Sequence, residues 1–317
     1  MKLFLIGVVI TVIAGMAGYH LHRESEPRAT QLKPVSLPDI SGMASFLANQ
    51  YLFVSDTKKA QHQLFLLEFV DAKTPFSFKP VTLSDPNQLL QNNPVKDLEA
   101  ICALPGSKRR FMLFESQKIK GVGGRALEVQ LPITADEAVI TTVVPLPAEF
   151  VKRKQGWNLE GALCFVGANG QLTYLLSDRG AEGKARLLKA VVEQGQFVVQ
   201  QTWLLALTAP TIMGREQQEG LREISDLYFS DNGEVWTVMT TDPDYRAGPF
   251  YSAIMKIGRL EQGTFKLQLD ESSRRDLTGL KVEALAKPPV TREGEVLGQF
   301  LVGTDDEALG GVLRIVE

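Results

Sequence analysis

The chain has 317 residues, 44% of them hydrophobic, and balances 34 basic against 37 acidic side chains for a net charge of −3. Length alone does not force a second domain, because large all-β folds often use roughly 200–250 residues or more as one unit. The basic residues are dispersed, with no Lys/Arg block able to track a phosphate backbone, which argues against a nucleic-acid partner.

Behind Lys2, residues Leu3 to Tyr19 form an uninterrupted uncharged run, followed by polar His20, His22, Arg23 and Glu24. Residues 1–28 therefore read as a signal peptide or an N-terminal membrane anchor. The small residues Gly15 and Ala17 suit cleavage, and the apolar run is at the short limit of a membrane span. Both outcomes put the remainder in the periplasm or cell envelope, touching membrane only through this segment. No cysteine lies there, which excludes lipoprotein processing. The two cysteines of the chain, Cys102 and Cys164, follow Glu99 by three and Glu160 by four positions. Strand alternation aims them differently relative to those glutamates, so buried free thiols are expected.

Residues 30–317 carry a repeat. Glu99, Glu160, Glu223 and Glu283 recur at intervals of 61, 63 and 60 positions within similar text, from Asp97-Leu98-Glu99-Ala100 to Lys281-Val282-Glu283-Ala284. A further copy begins at Ser41, so units start near 41, 99, 160, 223 and 283. Such a period marks one supersecondary unit that buries its apolar faces against its neighbours.

In chain order, Lys33 to Asp39 echoes Lys79 to Asp85, the fourth strand of the first unit. That unit adds β-rich stretches at Gln63–Val70 and Phe76–Leu83. The third unit reads as strands Glu160–Phe165, Leu172–Ser177, Ala185–Val191 and Gln196–Leu205, with Asn169-Gly170 as a type I′ hairpin turn. The fourth unit repeats this design with Ile224–Phe229, Asn232-Gly233 and Val235–Thr240. The fifth stops after Val282–Ala286, Gln299–Val302 and Gly311–Val316, one strand short. The expected fold is all-β, a five-bladed β-propeller of four-stranded antiparallel blades. Its last blade is completed by the N-terminal segment Lys33–Asp39, which removes two sheet edges.

Each unit has a second acid at the end of its second strand: Asp56, Glu115, Asp178, Asp242 and Asp305. In an antiparallel hairpin this position neighbours the start of the first strand, so nine carboxylates converge on one mouth of the channel. Such crowding needs compensation. Backbone donors with Arg179, Arg222, Lys118 and Lys281 could supply it, as could a hard cation such as Ca²⁺, or a cationic or hydroxyl-rich ligand. Asp242-Pro243-Asp244 and Asp305-Asp306-Glu307 add oxygens, but no D-x-D-x-D-G loop is present.

Outside the leader, His62 is the only histidine, and no G-x-S-x-G elbow exists, which weakens triad and zinc chemistry. Gly121-Val122-Gly123-Gly124 has no helix after it and reads as a loop. Metal-assisted hydrolysis is the reaction class that carboxylates and a cation could support, with Glu99, Glu160 and Asp178 as ligands, Glu223 as base and Arg179 or Lys118 as clamp.

Ser41-Gly42-Met43 leading to Val54-Ser55-Asp56, Asp97-Leu98-Glu99-Ala100 to Phe114-Glu115, and Asn158-Leu159-Glu160-Gly161 to Leu176-Ser177-Asp178-Arg179-Gly180 form a recurring pattern. It resembles that of bacterial phytase-like, esterase-like and SdiA-regulated β-propellers over most of residues 30–317. The resemblance implies an envelope or secreted propeller, sometimes calcium-bound. The expected function is a binding or scaffolding module for a small molecule, glycan or envelope protein. The alternative is a cation-dependent phosphoester or ester hydrolase.

Overall fold

The computed structural model describes residues 29–31, 37–56, 63–70, 76–91, 93–115, 124–134, 136–146, 158–179, 185–207, 211–212, 215–216, 221–241, 250–305 and 310–317. Every regular element among them is a β-strand. The expected leader, His62 and Gly121 to Gly123 lie outside these residues.

Strand β1 (Ala29–Gln31) precedes the first blade, β2 (Gly42–Leu47), β3 (Gln50–Val54), β4 (Leu64–Glu68) and β5 (Ser77–Pro80). After β6 (Thr82–Ser84) come the strands of the second blade, β7 (Leu98–Ala103), β8 (Arg110–Glu115), β9 (Arg125–Gln130) and β10 (Glu137–Pro145). The third blade is β11 (Leu159–Val166), β12 (Leu172–Asp178), β13 (Ala185–Glu193) and β14 (Gln196–Leu205). A two-stranded ribbon, β15 (Thr211–Ile212) and β16 (Arg215–Glu216), leads to the fourth blade, β17 (Leu221–Phe229), β18 (Glu234–Thr241), β19 (Tyr251–Glu261) and β20 (Thr264–Thr278). The fifth contains β21 (Val282–Ala286), β22 (Phe300–Thr304) and β23 (Leu313–Val316), with β1 as its outermost strand. The protein is a five-bladed β-propeller.

Two expected strands differ in place. The ring is closed by the N-terminal side of the chain, but through β1, which pairs antiparallel with β23 from Ala29 opposite Val316 to Gln31 opposite Arg314. Of the expected closing strand Lys33–Asp39, residues 33–36 lie outside the described residues, and Leu37 makes an isolated bridge to Gly311. The expected strand Phe76–Leu83 divides at Val81. That side chain is buried between the first two blades, and the residues beyond it form β6, which runs parallel to β10 on the outer edge of the second blade.

Period-two alternation builds the core. Along β3, Tyr51 and Phe53 pack toward the fifth blade, whereas Leu52 and Val54 pack toward the second. Along β8, Phe111 and Leu113 face the first blade while Met112 and Phe114 face the third. Five apolar clusters result, one at each junction between neighbouring blades, including the junction of the fifth with the first. Strands buried on both faces account for the short continuous apolar runs in the sequence. Neighbouring innermost strands touch closely: a Cβ at Gly161 would meet the Asp226 Cα at 2.8 Å.

The hairpin turns also differ from expectation. At Gly167–Gly170 and Ser230–Gly233, the fourth residue donates its N–H to the first carbonyl, and only the closing glycine has positive φ, 78° and 88°. These are four-residue turns with a left-handed last residue. The two-residue type I′ geometry occurs instead at Gln194-Gly195 and Gln262-Gly263, where both φ angles are positive.

Cys102 and Cys164 form a disulfide, with Cα atoms 5.8 Å apart, in place of the expected free thiols. Opposite parity is what such a bridge requires. Cys102 on β7 points toward the third blade and Cys164 on β11 toward the second, so the two side chains meet at one interface.

Candidate functional site

In the second, third and fifth blades, the residue opposite no partner is the repeating glutamate. The strand register shifts between Leu98 and Ala100, between Leu159 and Gly161, and between Val282 and Ala284. Glu99, Glu160 and Glu283 are thus the extra residues of β-bulges at the start of innermost strands. A bulge bends the strand and re-aims the side chain, here into the channel mouth. In the first blade Ser41 stands at this place, and its Oγ accepts the Asp56 N–H at 3.1 Å.

The second acidic series sits against basic side chains. Glu115 accepts two bonds from Arg125 on β9, at 2.6 and 2.8 Å, and a third from the Lys96 N–H at 2.8 Å. Asp178 pairs with Arg186 on β13 and accepts the Asn158 N–H at 2.9 Å. Asp305 pairs with Lys281 at 2.8 Å, and the fully buried ammonium also lies 3.5 Å from Glu283. Glu160 takes bonds from Arg179 at 2.6 Å and from the Asn158 side chain at 2.5 Å. Charge pairing therefore compensates most of the described ring. Of the basic residues expected beside the ring, Arg179 pairs with Glu160 and Lys281 with Asp305 and Glu283, and Arg125 and Arg186 add pairs that the repeat does not mark. Asp242, Lys118 and Asp306 lie outside the described residues, as do the side chains of Glu223 and Arg222 on β17.

One group is built differently. Carboxylate oxygens of Asp56, Asp97 and Glu99 all lie within 4.8 Å of one another, an arrangement able to hold a metal ion. No other His, Cys, Asp or Glu group is so placed among the described residues. Of the calcium ligands expected from sequence, Glu99, Glu160 and Asp178, only Glu99 belongs to it. Asp97 is the member that sequence reading passed over, although it opens the Asp97-Leu98-Glu99 motif. It is buried with a φ of 60°, a left-handed conformation that aspartate tolerates better than most residues. Burial first, and then the charges of Glu160, Asp56 and Asp97, push the Glu99 carboxyl well above the usual range, with Arg179 opposing them. The mouth is asymmetric: the close-set carboxylates come from the first and second blades, and Glu160 with Arg179 border them from the third.

A second buried carboxyl, Asp226 on β17, accepts the N–H groups of Leu227 at 2.7 Å and Leu285 at 2.8 Å, tying the fourth blade to the fifth. Burial raises its pKa well above the usual range, against these two bonds.

No protein-family model matches the chain, and no curated protein matches it in sequence. Solved structures do share the fold. An endo-1,4-beta-xylanase from Bacteroides thetaiotaomicron superposes with a TM-score of 0.52 at 12% identity, covering 89% of this chain and 95% of that one. A GH43 beta-1,3-galactosidase gives 0.50 at 11% identity, with 90% and 94% covered. A bifunctional GH43-CE protein from Bacteroides eggerthii gives 0.50 at 13% identity, with 92% of this chain and 35% of that one covered. At such identity the likeness is one of fold, and the chain is a five-bladed propeller with glycoside-hydrolase propellers among its structural neighbours.

Proposed function

We propose that this protein is an exported ligand-binding propeller whose acidic mouth holds a divalent cation at Asp56, Asp97 and Glu99. The observation that carries the reading is the convergence of those three carboxylates within 4.8 Å. Three ionised groups so close repel one another, and a hard cation neutralises them while accepting oxygen ligands in flexible geometry. Calcium takes about six to eight oxygens, so three carboxylates leave positions for ligand hydroxyls. A glycan or other polyol presented to the mouth would fill them. The disulfide favours an oxidising compartment, consistent with export to the periplasm or envelope.

A second reading, a cation-dependent phosphoester or ester hydrolase of the phytase-like kind, draws on the raised proton affinity of Glu99. A carboxyl that keeps its proton beside ionised carboxylates can act as a general acid, and Arg179, paired with Glu160 at the same rim, would clamp a substrate anion only by exchanging that partner for it.

Calorimetric titration of calcium and magnesium into chelator-treated protein tests the first reading. One saturable site, lost in Asp97→Asn, is the expected result; absence of a site in the unaltered protein would refute it. For the second, turnover of phosphoester and ester substrates that vanishes in Glu99→Gln is required, and binding without turnover leaves the binding module as the function.

A further inference from the structure

The opposite end of the channel holds a cavity of about 370 Å³, which nothing in the acidic site explains. It is lined from four of the five blades. Residues 45–49 and Tyr51 come from the first hairpin, Lys108 from the β7–β8 turn, Asp231 from the β17–β18 turn, and Lys287, Pro288 and Val290 from the segment after β21. Contributions from so many blades place the cavity over the channel at the hairpin-turn end, a strand's length from the carboxylates.

Its rim is fixed. The Asn49 side chain donates to the Val290 carbonyl at 2.8 Å and accepts the Val290 N–H at 2.7 Å, clamping the first blade to the fifth. Its charge is opposite to that of the other mouth: two lysines face one aspartate, which Lys287 already pairs with. Among the described residues Lys108 has no acidic partner. Phe46 packs edge-on against Phe111 toward the second blade, with ring centroids 5.5 Å apart, and Tyr51 packs toward the fifth, so the two rings line the cavity from either side of the first hairpin. Burial first, and then Tyr228, raise the Tyr51 hydroxyl, which therefore stays protonated and able to donate.

We propose that this cavity is a second binding site, for a small organic anion carrying one carboxylate on a single ring. The volume lies at the low end of the range for ligand pockets, which suits a single ring. The partly buried Phe46 ring would pack the ligand's ring, and the excess lysine charge would take the carboxylate in a charge-assisted hydrogen bond.

Ring carboxylates reach a cell as acidic sugars or as aromatic acids, so the test has two arms, galacturonate and benzoate. Each is titrated to millimolar concentration into the full chain while ligand-observed NMR follows binding. Saturable binding in at least one arm is expected, weakened about tenfold in Lys108→Gln and kept in Lys108→Arg. The site is refuted if neither arm saturates, or if Lys108→Gln binds as well as the unaltered chain.

Discussion

Glu99 is a buried carboxyl whose surroundings hold its proton. Its native carboxyl keeps a proton at pH values where the unfolded chain, near the ordinary glutamate value of 4.5, has released it. The native state thus binds more protons in that window, and stability without metal falls as pH rises from 4.5 through the raised native pKa. Glu99→Gln removes the titration. It is expected to flatten this decline and, in chelator at neutral pH, to raise stability, read from urea unfolding at several pH values. Arg125 matters for another reason, because it is the ion-pair partner of the fully buried Glu115. Arg125→Met strands that carboxylate and is expected to cost about 3–5 kcal/mol in the same assay. The repeat made Glu99 and Glu160 legible in sequence, since they recur at one interval. Asp97 was hidden because its role depends on a left-handed backbone, and Arg125 and Arg186 because they enter from third strands, across loops that obey no fixed spacing.

At the scale of strands, alternation explains both a success and an error. The hairpins of the third and fourth blades follow from apolar runs bounded by turn residues, and the observed strands match those runs closely. The same alternation, applied within single blades, set Cys102 and Cys164 on different faces and so argued against pairing. Yet facing blades present opposite faces to each other, and the bridge crosses that boundary three and four residues beyond Glu99 and Glu160. It closes a loop of 62 residues, for which chain-entropy estimates give about 4 kcal/mol. Reductant is expected to lower the denaturation midpoint of the native chain by roughly this stability and to leave a Cys102→Ala/Cys164→Ala variant unmoved. Equal response in both would mean that the bridge contributes nothing. The bulges that aim the glutamates had no sequence signal, because an extra residue in a strand is visible only against its partner's register.

For the whole molecule, five interblade clusters and a last blade completed by β1 make stability a property of the closed ring. Deleting residues 1–31 is expected to expose the β23 edge, lower the thermal midpoint and promote association, as light scattering would show. The period in the sequence was enough to reach five blades and the closure, since each unit needs a neighbour on both faces. Which N-terminal residues close the ring was not, because short outer strands carry little pattern. The same ring brings Asp56 of the first blade against Asp97 and Glu99 of the second, and a cation there would link them. Thermal unfolding at neutral pH, with calcium or with chelator, tests this most directly. At 100 times the dissociation constant, calcium is expected to add about 2.7 kcal/mol, a gain absent in Asp97→Asn. Coincident melting curves with calcium and with chelator would contradict a cation at the acidic mouth.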